Sequence, residues 1–206
     1  MHGNLTQYIN AHRGKAIVIG CGRSALEIKD AELGDIVTIG VNDACRIRRL
    51  DYHLLVDEPR KFGEARRNQM ILSDAKHVLT HIRSWRVKKP ERLILYELGE
   101  HRGTWNCGVR NAKIDYSNNS PYMAIVIAHK LGFNKIGVIG VDFTDDHFYD
   151  RDGAHELVAA GKLDRVRDDY GALVSKMKSL GTDIYNLSKT SAIDTIPGAD
   201  LETFIE

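Results

Sequence analysis

Asn118-Asn119-Ser120-Pro121-Tyr122-Met123-Ala124, continuing through Leu131-Gly132-Phe133 into Ile136-Gly137-Val138-Ile139-Gly140-Val141-Asp142-Phe143, reads as a polar turn, a buried helix and a strand ending on a carboxylate. From Tyr122 to Ala128 apolar side chains are packed too densely for a surface helix, so this helix is expected inside the molecule. Ser120 is the expected cap and Pro121 suits the first turn. In an open α/β sheet the carboxyl ends of strands face the ligand crevice, which directs the search for chemistry to Asp142 and its neighbours.

Working outward, Lys15-Ala16-Ile17-Val18-Ile19-Gly20 is a continuous apolar run of the kind buried on both faces of a parallel sheet. Ser24 to Ala31 reads as a short helix and Asp35 to Val41 as a second strand that stops at Asn42-Asp43. A third strand, Asp51 to Asp57, ends at Glu58-Pro59. Lys61 to Gln69 has helical composition, and His77 to His81 is strand-like. Arg83 to Arg92 is a basic loop, Leu93 to Tyr96 a possible strand, and Gly99 to Gly108 irregular. Leu157 to Leu180 forms a long charged helix, and Thr182 to Leu187 a final strand. The alternation predicts one Rossmann-like, doubly wound, mostly parallel α/β sheet with helices on both faces, over a single domain 1–206 with an irregular insert at about 83–115.

Bulk properties narrow the function classes. Lys plus Arg number 29 against 28 Asp plus Glu, so no global field draws the chain to nucleic acid or an anionic membrane. No apolar run approaches the roughly 20 residues of a membrane span, which leads to the expectation of a cytoplasmic protein. Cys21, Cys45 and Cys107 are odd in number and widely spaced, which suits reduced thiols.

Gly20-Cys21-Gly22-Arg23-Ser24-Ala25 follows a strand and fits the G-x-G-x-x-G/A dinucleotide pattern, with Asp43 about 20 residues on. Glycines there let backbone amides approach a phosphate, and Arg23 and Ser24 are further donors. The alternative is a tight turn without a ligand. Asn42-Asp43 and Asn119-Ser120 sit at strand and helix ends, where carboxamides and hydroxyls can bond a nucleotide, or serve as plain turn and cap chemistry. After Asp142 come Asp145, Asp146, His147, Asp150, Asp152 and His155. A histidine in that company is a candidate general base, Asp142 is a candidate catalytic carboxylate beside it, and the carboxylates could hold a divalent metal. Arg83, Arg86, Lys88, Lys89 and Arg92 around Trp85 could contact a nucleic acid or anionic acceptor, although a solvated loop is the commoner outcome.

The ordered blocks Gly20 to Ser24, Val41-Asn42-Asp43, Asn119-Ser120 with Ala124, Leu131-Gly132, Gly140 to Phe143, His147, His155 and Tyr185 to Ser188 resemble a group of uncharacterised phage and bacterial Rossmann-like proteins. That group resembles the bacterial sialyltransferases and the motility-accessory-factor glycosyltransferases. Arg23 stands where the family often has proline, and Pro121 where it often has glycine. The resemblance implies an enzyme using a nucleotide-activated sugar, CMP-sugar first, as its donor substrate. Gly20, Gly22, Arg23, Ser24, Asn42 and Asp43 would hold the nucleotide, Asn119 and Ser120 would line the pocket near the sugar, and a histidine after the Asp142 strand would take the acceptor's proton. His155 ranks ahead of His147. The acceptor would carry a hydroxyl, on a glycan or, for a phage protein, on a modified DNA base. The rivals are a non-catalytic nucleotide-binding module and a magnesium-dependent pyrophosphokinase-like enzyme, since a related branch is linked to pterin pyrophosphokinases.

Overall fold

The computed structural model describes residues 2–144, 147–148 and 161–206. In chain order the strands are β1 (Gly3–Asn4), β2 (Lys15–Ile19), β3 (Val37–Val41), β4 (Tyr52–Leu55), β5 (His77–Thr80), β6 (Leu93–Leu95), β7 (Glu97–His101), β8 (Lys113–Tyr116), β9 (Lys135–Ile139) and β10 (Asp183–Asn186). The α-helices are α1 (Glu64–Ile71), α2 (Ser120–Leu131), α3 (Leu163–Ser179) and α4 (Leu201–Ile205). Eight strands form one sheet in the order β1-β6-β5-β4-β3-β2-β9-β10, with every neighbouring pair parallel. This is the doubly wound α/β architecture expected from the alternation of runs. The chain steps outward from β2 to β6, then returns to lay β9 on the other side of β2. The strand order reverses there, opening a crevice at the carboxyl ends of β2 and β9.

Successive strand residues point to opposite faces, and the apolar runs are continuous because both faces are covered. Ala16 and Val18 join one core with Ile39, Leu54, Leu79, Ile136 and Val138, under α2 and α3. Ile17 and Ile19 join the other, with Ala25, Ile28, Ala44, Leu201 and Phe204. Leu55, Val78 and Leu93 pack instead with Phe62, Met70 and Trp85 beside α1. Helix α2 is buried through Tyr122–Ala128, as its composition demands, and ends on Gly132 at φ 108°, a left-handed cap that glycine adopts without strain.

Several details depart from the sequence reading. Arg23–Ile28 is a 3-10 turn where a short helix was expected at Ser24 to Ala31, and a second 3-10 turn, Asn42–Arg46, follows β3. Between β3 and β4 the chain must recross the sheet from Asn42 to Asp51, and a 3-10 turn covers more length per residue than an α-helix. The cap of α2 is Asn119, with Ser120 and Pro121 as its first helical residues. The stretch from Gly99 is ordered: β7 and β8 pair in parallel outside the main sheet. Buried Asp115 organises it, accepting hydrogen bonds from Glu100 N at 2.9 Å, Asn106 N at 2.6 Å and Asn106 Nδ2 at 2.6 Å. A polar nucleus of this kind leaves no apolar periodicity. Trp85 is only 3% exposed and donates its indole N–H to the Asp57 carbonyl at 2.9 Å, so it anchors the basic loop and is not a stacking platform. No helix among the described residues is long and apolar enough to cross a membrane.

Gly20 packs on the β9 loop so closely that a Cβ would overlap the Gly140 carbonyl oxygen. Gly20→Ala is therefore expected to lower unfolding stability by roughly 3 kcal/mol, the upper end for overpacking. The check is a drop in the denaturant midpoint at unchanged m-value.

Candidate functional site

At the strand reversal lies an open cavity of about 750 Å³. Its walls come from five places: Cys21 and Gly22 after β2, Val41 and Asn42 after β3, Val56 and Asp57 after β4, Ser117 to Pro121 leading into α2, and Gly140 to Thr144 with His147 after β9. Lys61, Phe62 and Arg66 close one side, and Lys162 and Leu163 at the start of α3 the other.

Asp142 ties the loops together. Its carboxylate accepts from Ser24 N at 2.8 Å, from the Ser24 hydroxyl, and from Ser188 Oγ at 3.1 Å. Ser24 Oγ also accepts from Gly140 N at 2.9 Å. Loops after β2, β9 and β10 are thereby joined around one carboxylate that is 4% exposed. Gly22 must be glycine for this approach, since a Cβ would lie 2.6 Å from Asp142 Oδ2. The amides of the glycine turn are engaged within the protein: Gly20 N donates to Ile139 O at 2.8 Å and Gly22 N to Gly140 O at 2.7 Å. Phe148 N donates to Cys21 O at 3.2 Å, folding the segment after β9 back so that His147 bridges Gly22 and reaches the cavity.

Of the residues singled out in the sequence, Gly22, Asn42, Asn119, Ser120, Asp142 and His147 line this one cavity. Gly20, Arg23, Ser24 and Asp43 do not: Gly20 and Ser24 are committed to the β9 loop, and Arg23 is exposed away from the lining. Asp43 turns inward, fully buried, to accept from Arg66 Nε at 3.1 Å, with Arg46 at 3.7 Å. It thereby holds Arg66, a cavity residue, rather than facing the cavity itself. His155 and the carboxylates Asp145, Asp146, Asp150 and Asp152 lie outside the described residues. Among the described residues, no group of three or more His, Cys, Asp or Glu side chains is placed to hold a metal ion.

Asn119 Oδ1 accepts from the Tyr170 hydroxyl at 2.6 Å, which ties α3 to the start of α2 and leaves the Asn119 amide N–H groups as its donors toward the cavity. Asn42 has φ 46°, a left-handed conformation uncommon outside glycine but tolerated by asparagine. Its carbonyl accepts from His53 Nε2 at 2.7 Å. His53 is fully buried, and that burial pushes its pKa down to about 4, against smaller opposing effects of the Asn42 hydrogen bond and Asp43. Cys21 donates its thiol to Val41 O at 3.4 Å, and burial, helped by Asp43, pushes that thiol up to about 12, which makes it a poor nucleophile. Sequence reasoning missed Lys61, Phe62, Arg66, Ser117 and Lys162. These sit in charged or polar stretches whose placement depends on long-range packing, and only the polar strand end Asp57-Glu58-Pro59 pointed toward them.

No protein-family model and no curated protein sequence matches the chain. Among solved structures it is similar to the MAf glycosyltransferase from Magnetospirillum magneticum AMB-1, at 15% identity and TM-score 0.59 over 96% of this chain and 34% of that one. The chain thus spans about a third of that enzyme's length. It is also similar to the sialyltransferase CstII from Campylobacter jejuni in complex with the substrate analogue CMP-3FNeuAc, at 14% identity and TM-score 0.53 over 90% of this chain and 86% of that one. A structure of the sialyltransferase CST-II with trisaccharide acceptor and CMP matches at 16% identity and TM-score 0.53, over 89% of this chain and 85% of that one. At such identities the likeness establishes a shared Rossmann-like fold.

Two predictions follow from the site's bonding. Asp142→Asn replaces an acceptor-only group with one whose amine cannot accept from Ser24 or Ser188, and should cost about 1–3 kcal/mol of stability in denaturant unfolding. His53 has a folded pKa of about 4 against an ordinary 6.5, so between these values the unfolded chain binds the extra proton. Its contribution to stability is complete above pH 6.5 and is lost as pH falls toward 4, by about 3 kcal/mol in all. Unfolding at pH 7.5 and 4.5 should show this loss, and His53→Gln should reduce the pH dependence.

Proposed function

We propose that this chain is a glycosyltransferase-like enzyme that uses a nucleotide-activated sugar, with a CMP-sugar as the favoured donor and a histidine as general base. The observation that carries the reading is the convergence of Asn42, Asn119, Ser120 and His147 on one cavity at the carboxyl ends of β2 and β9. A ligand there meets carboxamide and hydroxyl groups on one side and an imidazole on another. The solved neighbours lend support to the donor class, since those structures are complexes with CMP, a CMP-sugar analogue and a trisaccharide acceptor.

In this reading Asn42, with Gly22 beside it, meets the donor's nucleotide and phosphate. Asn119 and Ser120, at the start of α2, meet the sugar or phosphate, where the positive end of the helix dipole favours an anion. Asp142 sets the positions of the walls, because its oxygens are already bonded to Ser24 and Ser188. The histidine takes the proton of an acceptor hydroxyl as its oxygen bonds to the anomeric carbon. The bond from that carbon to the phosphate breaks, and CMP leaves with the electron pair. Polar groups prearranged around the departing phosphate supply much of the rate. The base is His155 or His147, and the acceptor is a hydroxyl-bearing glycan.

Calorimetry with CMP, UMP, AMP and GMP, followed by a transfer assay with CMP-sugars, tests this. CMP should bind more tightly than the purine nucleotides. His147→Ala and His155→Ala should each keep CMP affinity within about threefold, and the one that removes the base should lower turnover by roughly 10²–10⁴-fold. If neither change affects turnover, the histidine mechanism fails. Tight CMP binding with no transfer by the unaltered protein would leave a non-catalytic nucleotide-binding module.

A further inference from the structure

Deep in the centre of the sheet, His53 on β4 is a buried histidine beneath the cavity wall with no catalytic or ligand-binding role in the proposed reaction. Its side chain is 0% exposed, and its Nε2 lies 2.7 Å from the Asn42 carbonyl oxygen. A carbonyl can only accept, so Nε2 carries the hydrogen and Nδ1 is a bare lone pair. Burial keeps the ring neutral, which holds this tautomer in place at ordinary pH. Nδ1 has no hydrogen-bond partner among the described residues. Among the described residues the ring therefore hydrogen-bonds to one backbone atom alone, and that atom belongs to the residue where β3 turns.

The turn is unusual. Asn42 leaves β3 at φ 46°, and the next residue, Asp43, dives into the protein to meet Arg66 and Arg46. Cys21 Sγ holds the preceding carbonyl, Val41 O, at 3.4 Å. An extended strand end would direct the Asn42 side chain to one face of the sheet, where the covering layer packs, whereas with the left-handed turn Asn42 lies in the cavity wall. Asn42 Oδ1 is buried and has no partner among the described residues, so the side chain is not held by bonds of its own. Its placement depends on the backbone conformation beneath it, which a sparsely populated dihedral can keep only when the surroundings hold it.

We propose that His53 is a positioning residue for ligand recognition: by donating to the Asn42 carbonyl it holds the left-handed turn that presents the Asn42 carboxamide to the donor. This rests on the reading of the cavity as a nucleotide-sugar site. His53 itself touches no ligand, and its effect runs through Asn42.

The test is a double-mutant cycle read by calorimetric titration with CMP, on His53→Leu, Asn42→Ala and the pair together, with His53→Gln as the variant that keeps an N–H donor. Each single change should weaken CMP binding by about tenfold, and the double variant should bind no more weakly than Asn42→Ala alone. His53→Gln should restore affinity to within about threefold of the unaltered protein. Losses that multiply in the double variant, or a glutamine as damaging as leucine, overturn the proposal while leaving the cavity's function intact. Should His53→Leu fail a cooperative thermal melt, His53→Phe replaces it. If both donor-less variants fail to fold, His53 is a core residue and the positioning role is overturned. An unaltered protein that binds no nucleotide removes the functional reading first, and this proposal with it.

Discussion

The contact on which the site depends is the carboxylate of Asp142 against the amide and hydroxyl of Ser24. It joins the loop after β2 to the loop after β9, the two strands between which the winding of the sheet reverses. Without a bond there, two loops leaving adjacent parallel strands would be free to diverge, and the crevice between them would have no defined width. Ser188 adds the loop after β10 to the same carboxylate, so one buried group sets the spacing of three strand ends. Removing such a group strands its donors in a nearly dry environment, which makes the arrangement costly to disturb.

The glycines around that contact acquire a different meaning from the one their spacing suggests. Gly20, Gly22 and Gly140 let two protein segments close on each other: Gly20 N donates to the last carbonyl of β9 and Gly22 N to the Gly140 carbonyl just beyond it, and a Cβ at Gly22 would collide with Asp142. The G-x-G pattern thus builds the wall of the crevice before it meets any ligand. Much of the polar lining comes from elsewhere, from Asn42 at the end of β3 and from the segment Ser117 to Ser120. Behind them stand buried residues that fix their geometry, Asp43 holding Arg66, Tyr170 holding Asn119 and His53 holding Asn42. In a cavity lined by loops, these inner contacts supply the rigidity that loops lack.

Much of the framework was legible in the chain. The apolar runs at Ala16 to Ile19, Val37 to Val41 and Ile136 to Ile139 could be buried only in a parallel sheet covered on both faces, and Tyr122 to Ala128 could be only a buried helix. The polar residues that end these runs lie at the cavity because parallel strands all point the same way. Less was legible where order comes from polar groups. Strand β7 and its partner β8 organise around Asp115, and the basic loop hangs from Trp85, whose ring reads equally well as exposed or buried in a charged stretch. The inward turn of Asp43 was likewise invisible, since its partner Arg66 lies 23 residues away on α1.

By itself, then, the sequence determined the α/β class, the parallel sheet and the set of strand ends from which a site could be made, because hydrophobic period and run length are local properties that burial reads directly. Only the tertiary structure decided which polar residues face the cavity and which hold those that do. That choice depends on hydrogen bonds between residues as far apart as Ser24 and Asp142, and a donor or acceptor looks the same in the chain whether its partner is a ligand or another part of the protein.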